Sequence, residues 1–264
     1  MSLPLKSILG HAVRAVTSPA KREAPVMPLR AVLRAPVIFD LLSFAMQVRD
    51  LARVTKIRES YAVESAHHRE VHDYNAGVTQ RKLMTTSRRV ERYYELLAQP
   101  RRDLSKDRLL IVGPRNVHEL LTAWTYGYSW GAIQAIDLYS TNPKILVMNM
   151  EKMTFPDAQF DAVAMANTLS YADSTRAALA EVARILRPNG RFSFSATFDP
   201  EGTRWKEDKV DAGAIGAMLH ELGFEICVHF GIDKINSLGR RQTSHDIVAR
   251  KVPAGEVRLD PFRL

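Results

Sequence analysis

The rhythm of apolar and polar positions changes once, decisively, along this chain. From Leu29 to about Gln99 the apolar residues recur at helical spacing with few glycines. Two segments stand out there, Val37 to Ile57 and Ser87 to Leu97, separated by a polar stretch around His67 to Asn75. Beyond Gln99-Pro100-Arg101-Arg102, short apolar runs alternate with helical patterns, the texture of a parallel sheet with helices on its faces. Arg108 to Val112 is a buried-strand run ending at Gly113, and Val117, Leu120, Leu121 and Trp124 then predict a helix that follows immediately. Ala132 to Ile136 ends at Asp137, while Ile145 to Met148 and Phe160 to Ala166 make the third and fourth strands.

A helix from about Asp173 to Leu186 would bury Ala178, Val182 and Ile185 and stop at Pro188-Asn189-Gly190. Phe192 to Phe198 is the fifth strand; Ile215, Met218, Leu219 and Leu222 mark a further helix ended by Gly223; Phe224 to Phe230 alternates as the sixth strand, with Cys227 turned into the core. His245 to Lys251 closes the series. A parallel neighbour needs a crossover of about a dozen residues or more, usually helical. Gly231 to Ser244 reads as loop, so the last strand is expected to run antiparallel. The expected organisation is a helical N-terminal region over 1–100, an α/β domain over 101–253 and a tail over 254–264. The α/β domain is a Rossmann-like sheet of seven strands with the last antiparallel.

Charge adds a question about partners. The net charge is +8, yet no residue between Met1 and Arg22 is acidic, while Lys6, Arg14, Lys21 and Arg22 are basic among the apolar Leu5, Ile8, Leu9, Val13 and Val16. Three readings of this segment stay open: a stretch lying on an anionic membrane surface, a basic terminus without a partner, or a transit peptide. The apolar run from Ala35 to Met46 is broken by Asp40 and lacks a signal-type cleavage site, and no run of about 18 apolar residues exists. The expectation is a cytoplasmic protein, with the inner face of the membrane as the alternative location. Cys227 is the single cysteine, which excludes a disulfide framework within the chain.

Two places carry candidate chemistry. A strand that ends in glycine and turns straight into a helix brings backbone close to a ligand and aims free amides at an anion, as at Gly113. Asp137 closes the second strand about 20 residues later, the spacing of a ribose-binding acid in dinucleotide folds. Its bland alternative is a residue that merely ends a strand. His68 and His72 are four apart, but Glu70 falls out of the zinc-protease order and no third ligand is evident, so no metal is expected.

The run Leu109 to Phe198 resembles the class I S-adenosylmethionine-dependent methyltransferases of the type 11 kind. Phe155-Pro156-Asp157-Ala158-Gln159-Phe160-Asp161 and Glu181-Val182-Ala183-Arg184-Ile185-Leu186-Arg187-Pro188-Asn189-Gly190 are similar to two of that family's blocks, and Ile111-Val112-Gly113-Pro114-Arg115-Asn116 is similar to a bacterial subgroup associated with polysaccharide and glycan pathways. The resemblance implies S-adenosylmethionine as cofactor. It implies binding by Gly113, Pro114, Arg115, Asn116, Glu119, Asp137, Leu138, Asn149, Met150 and Asn167, with Thr168, Ser170 and Tyr171 on the acceptor side. Asn149 and Met150 fall where the family has an acid and an apolar residue beside adenine.

The chain departs from the family at the glycine-rich loop, which is reduced to Gly113 followed by Pro114, a residue without a backbone donor. Arg115 either replaces that donor by pairing with the cofactor carboxylate or pairs with Glu119 one helical turn on. Tyr171 and His229 could face an acceptor, although wall and structural roles are as simple; no general base is named. The functional expectation is methyl transfer to a small or glycan-linked acceptor, at oxygen. The alternative is a non-catalytic methyltransferase-like interaction partner. A nucleic-acid acceptor is not expected, because Ala166-Asn167-Thr168-Leu169 stands where an amino-methylating motif would and no interleaved aromatic and basic stripe is present.

Overall fold

The computed structural model describes residues 28–53, 65–81, 90, 93–94, 97, 103–114, 116–140, 142–198, 210–235, 239 and 241–256. Three N-terminal helices, α1 (Pro28–Leu33), α2 (Pro36–Arg53) and α3 (Ala66–Arg81), precede β1 (Leu109–Val112), α4 (Val117–Thr125), β2 (Ile133–Asp137), β3 (Ile145–Val147) and β4 (Phe160–Ala166). Then follow α5 (Thr175–Ile185), β5 (Leu186–Phe198), α6 (Ala212–Glu221), β6 (Phe224–Ile235) and β7 (Arg241–Lys251).

The seven strands form one sheet in the order β3-β2-β1-β4-β5-β7-β6. β4 lies at the centre; β1 pairs in parallel with β2 and β4, while β7 enters between β5 and β6, antiparallel to both. The expected reversed final strand is therefore present. All four residues of β1 are buried, because the sheet is covered on both faces. Leu110 and Val112 face one core with Val163, Met165, Phe192 and Phe194 beneath α5 and α6. Leu109 and Ile111 face the other with Ile133, Ala135, Ala162 and Ala164 beneath α4.

The N-terminal region is part of that second layer. Val90, Tyr93, Tyr94 and Leu97 are buried in it, and the Tyr93 hydroxyl donates to Asp246 Oδ1 on β7 at 3.4 Å. α2 packs Phe39 against Val117 and Leu121 of α4, with its ring edge-on to His118. The boundary expected at Gln99 to Arg102 and most of the helix expected over Ser87 to Leu97 lie outside the described residues, as does the tail from 257 on.

The polar stretch from His67 to Asn75 lies inside helix α3, in keeping with the helical reading of this region. Three sequence readings are corrected. Gly231 to Ser244 is largely strand: β6 runs on to Ile235 and β7 starts at Arg241, and the polar Asp233 is tied across the pair to Arg241 and Thr243 at 2.8 Å each. Cys227 is exposed, because the ladder slips between Ile226 and Val228 and the bulge removes Cys227 from the alternation. α5 also ends earlier than the Pro-Asn-Gly signal, at Ile185. Leu186 already pairs with Phe160 in the sheet, and the left-handed Asn189 (φ 65°) shapes the start of β5 rather than a helix cap.

Candidate functional site

The carboxyl edge of the parallel strands gathers the residues singled out from the sequence. β1 hands over to α4 through Gly113, whose φ of +70° is the left-handed conformation that glycine adopts freely. Its N–H donates to Ile136 O at 2.8 Å, so the turn is stitched to β2. The space beside its Cα is taken by Thr168: a methyl on Gly113 would lie 2.4 Å from Thr168 Cγ2 and Oγ1. Thr168 in turn donates its hydroxyl to the carbonyls of Val112 and Ala166, both at 3.2 Å, and so clamps the end of β4 to the end of β1. This narrows the sequence reading of both residues. The glycine admits a threonine, and Thr168 acts as a clamp at the place expected for an acceptor contact.

Pro114 is buried, and Arg115 lies outside the described residues. Asn116 accepts an N–H bond from His118 at 2.9 Å and caps α4, whose free amides therefore open toward this turn. Glu119, in the first turn of α4, is half-buried. Asp137 is 9% exposed at the end of β2, and its carbonyl receives Met148 N at 3.0 Å. Its carboxylate lies near Tyr139, whose hydroxyl is held above the usual phenol range first by burial and then by the Asp137 charge. Leu138, between them, is half-buried.

Beyond β3, Asn149 turns its side-chain oxygen onto Glu151 N at 2.8 Å, and its carbonyl accepts Lys152 N at 3.2 Å. An asparagine in the acid's place thus builds the turn. Met150 is buried in the apolar cluster with Met148, Met153 and Phe155. Beyond β4, Asn167 adopts φ 53°, donates its N–H to Ser195 Oγ at 2.9 Å and accepts from Thr197 at 3.1 Å. Leu169–Tyr171 is a single 3-10 turn in which Ser170 is buried and Tyr171 packs at the edge of the core.

The feature the sequence reading missed is the bar laid across this edge by α3. His68 Nε2 stands 3.1 Å from Glu151 Oε2 and 3.6 Å from Asp173 Oδ2. One helical turn on, His72 meets the Tyr139 ring edge-on at 6.0 Å. Its helix thereby joins the loop beyond β3, which carries Asn149, to the segment that follows Asp137 beyond β2. The i, i+4 histidine spacing was the visible signal; the partners, on residues 151 and 139, were not.

His68, Glu151 and Asp173 place potential ligand atoms within 4.8 Å of one another. The two Glu151 oxygens already accept N–H groups, from Asp173 at 3.2 Å and from Ser174, at the start of α5. The cluster is accounted for as a latch fastening α3 and α5 to the β3 loop. Four buried side-chain atoms beside it have no protein partner: His67 Nε2, His68 Nδ1, His72 Nε2 and Tyr139 Oη. Orphaned buried polar atoms are uncommon, and these four lie on α3 and on the segment beyond β2 that it meets. His229, on the outermost strand β6, is bonded at 2.8 Å to His245, which pairs with Ala196 near the carboxyl end of β5.

A second network holds the two sequence blocks together. Arg184 on α5 donates to Glu181, to Asp157 and to the carbonyls of Phe155 and Met153, all within 2.8 Å. These bonds hold the arginine above its ordinary range and Glu181 below the usual carboxylate range.

Residues 128–194, from just ahead of β2 into β5, match the family model described as a methyltransferase domain. The matched stretch is similar to a methyltransferase domain, and the sheet around it has the fold of solved proteins of that kind. Its architecture is shared with a candidate sarcosine dimethylglycine methyltransferase from Galdieria sulphuraria, at 11% identity and a TM-score of 0.53 over 71% of this chain and 99% of that one. It is shared too with a chain of the complex between the Haloferax volcanii Trm112 methyltransferase activator and a candidate methyltransferase, at 14% identity and a TM-score of 0.52 over 72% and 98% of the two chains. Among curated proteins no sequence matches. In this domain Asp137, Asn149 and the Gly113 turn stand at the carboxyl edge of β2, β3 and β1, the crevice in which open α/β sheets bind ligands.

Proposed function

We propose that this protein is an S-adenosylmethionine-dependent methyltransferase that acts on a small or glycan-linked acceptor, at oxygen. The observation that carries the cofactor reading is Asp137, at the carboxyl edge of β2 beside orphaned polar atoms of Tyr139 and α3. The acceptor class rests on the resemblance of Ile111 to Asn116 to the glycan-associated subgroup.

The donor set suits the cofactor. The Asp137 carboxylate accepts hydrogen bonds from the ribose hydroxyls, and the amides opening at the start of α4, with Arg115, receive the carboxylate of the methionine end. Asn149, Met150 and Leu138 border the adenine, Tyr139 and His72 supply polar atoms from above, and Glu119 and Asn167 flank the methionine moiety. The bound cofactor supplies a methyl group on a positively charged sulfur. What the chain contributes is alignment of acceptor, methyl and sulfur, together with exclusion of water by α3. Ser170 and Tyr171 border the acceptor.

Incubation with methyl-labelled cofactor and a panel of hydroxylated sugars and small alcohols is expected to transfer label, and Asp137→Ala to abolish it. Cofactor binding without transfer to any such acceptor would overturn the acceptor class. A second reading, the fold as a non-catalytic platform, draws on the close packing of Thr168 against Gly113. It requires that neither S-adenosylmethionine nor S-adenosylhomocysteine bind.

A further inference from the structure

Helix α2 sits on the domain with its polar side inward. Phe39, Ser43, Gln47 and Asp50, spaced i, i+4, i+8 and i+11, are all buried. Ser43 Oγ lies 3.0 Å from His118 Nδ1, Gln47 donates to Ser43 at 3.1 Å, and Asn142 donates to Asp50 at 2.6 Å. The same spacing, two residues back, puts Val37, Leu41, Ala45 and Val48 on the opposite side of the helix. There Val37 is 71% exposed, Leu41 62% and Val48 42%, with Ile38 beside them at 42%. The hydrogen bonds fix which way the helix faces, so the apolar stripe cannot turn inward without breaking the contacts to His118 and Asn142. An ordered helix with a continuous apolar stripe in water marks a surface built to meet something else.

The chain ahead of this helix indicates what. Over residues 1–27 the sequence has Lys6, Arg14, Lys21 and Arg22 against the single acid Glu23, with apolar residues between them. A second copy of this chain would bring the same cationic segment and the same +8 net charge to the contact. An anionic lipid surface complements both features at once, apolar side chains entering the boundary of the acyl chains and cations attracted to the headgroups. Among the described residues no helix is long and apolar enough to cross a membrane, so α2 would lie in the interface.

We infer that the outward stripe of α2, with the basic segment ahead of it, docks the protein on anionic lipid bilayers. The test is flotation of the full-length protein with phosphatidylcholine vesicles, with and without phosphatidylserine. Binding is expected only to the phosphatidylserine vesicles and is expected to weaken with added salt. The combined variant Val37→Ser, Leu41→Ser, Val48→Ser, all at exposed positions, should keep its melting temperature and lose at least about tenfold in partitioning. Replacing Lys6, Arg14, Lys21 and Arg22 by Gln should remove the preference for phosphatidylserine. The proposal is overturned if the protein does not float with anionic vesicles, or if the serine variant floats as well as the parent. It is equally overturned if light scattering shows a dimer that the serine variant abolishes, which would give the stripe to a second copy.

Discussion

Gly113→Ala probes the geometry of the site most sharply, because two separate costs can be worked out at one atom. The left-handed backbone at φ +70° costs an alanine about 1–2 kcal/mol. The new methyl would also lie 2.4 Å from two atoms of Thr168 and 2.9 Å from its Cβ. A β-branched side chain on a short turn has little room to retreat, and such overpacking costs typically about 1–3 kcal/mol. The sum, about 3 kcal/mol, corresponds to a fall of roughly 6–12 °C in melting temperature for a domain of this size. Calorimetric melting of Gly113→Ala, Thr168→Ala and the double variant tests it. Thr168→Ala alone loses the clamp to Val112, and in the double variant the two changes should be less than additive by at least about 1 kcal/mol. A Gly113→Ala protein within about 0.5 kcal/mol of the parent, or strictly additive changes, would refute the packing argument.

Other outcomes follow from individual side chains. Burial holds His118 at about 4, against an unfolded value near 6.5. Its contribution to stability is therefore complete above about pH 6.5 and is lost as pH falls through 4, by about 3 kcal/mol in all; denaturant melts of His118→Gln should show a correspondingly flatter profile between those pH values. Arg184→Lys replaces a guanidinium that reaches two carboxylates and two carbonyls with a single ammonium, and should cost about 2–3 kcal/mol in urea unfolding. Glu151→Ala leaves Asp173 N, Ser174 N and His68 Nε2 without their acceptor, so hydrogen exchange should quicken in α3 while β1 and β4 keep their protection. Arg115→Ala should weaken cofactor binding by at least about tenfold in calorimetry with little change in melting temperature.

The central strands were legible because they are buried on both faces: Leu109 to Val112 and Phe160 to Ala166 read as near-continuous apolar runs and form β1 and β4. Asp137 was legible for the same reason, as the first charge after such a run. The helical character of α3 was legible but its hold on the domain was not, since that comes from His68 and His72 meeting Glu151 and Tyr139, contacts that a local pattern cannot encode. The outer reaches of β6 and β7 were read as loop because their residues are polar and pair with each other rather than with the core. The role of Thr168 was hidden likewise, because its partner carbonyl, on Val112, is 56 residues away.

Titration of the purified protein with S-adenosylhomocysteine by calorimetry, beside the Asp137→Ala variant, tests the central claim most directly. The account predicts saturable one-to-one binding that weakens at least about tenfold in the variant, with its melting temperature nearly kept. No heat at millimolar ligand, or equal affinity in both proteins, would contradict it.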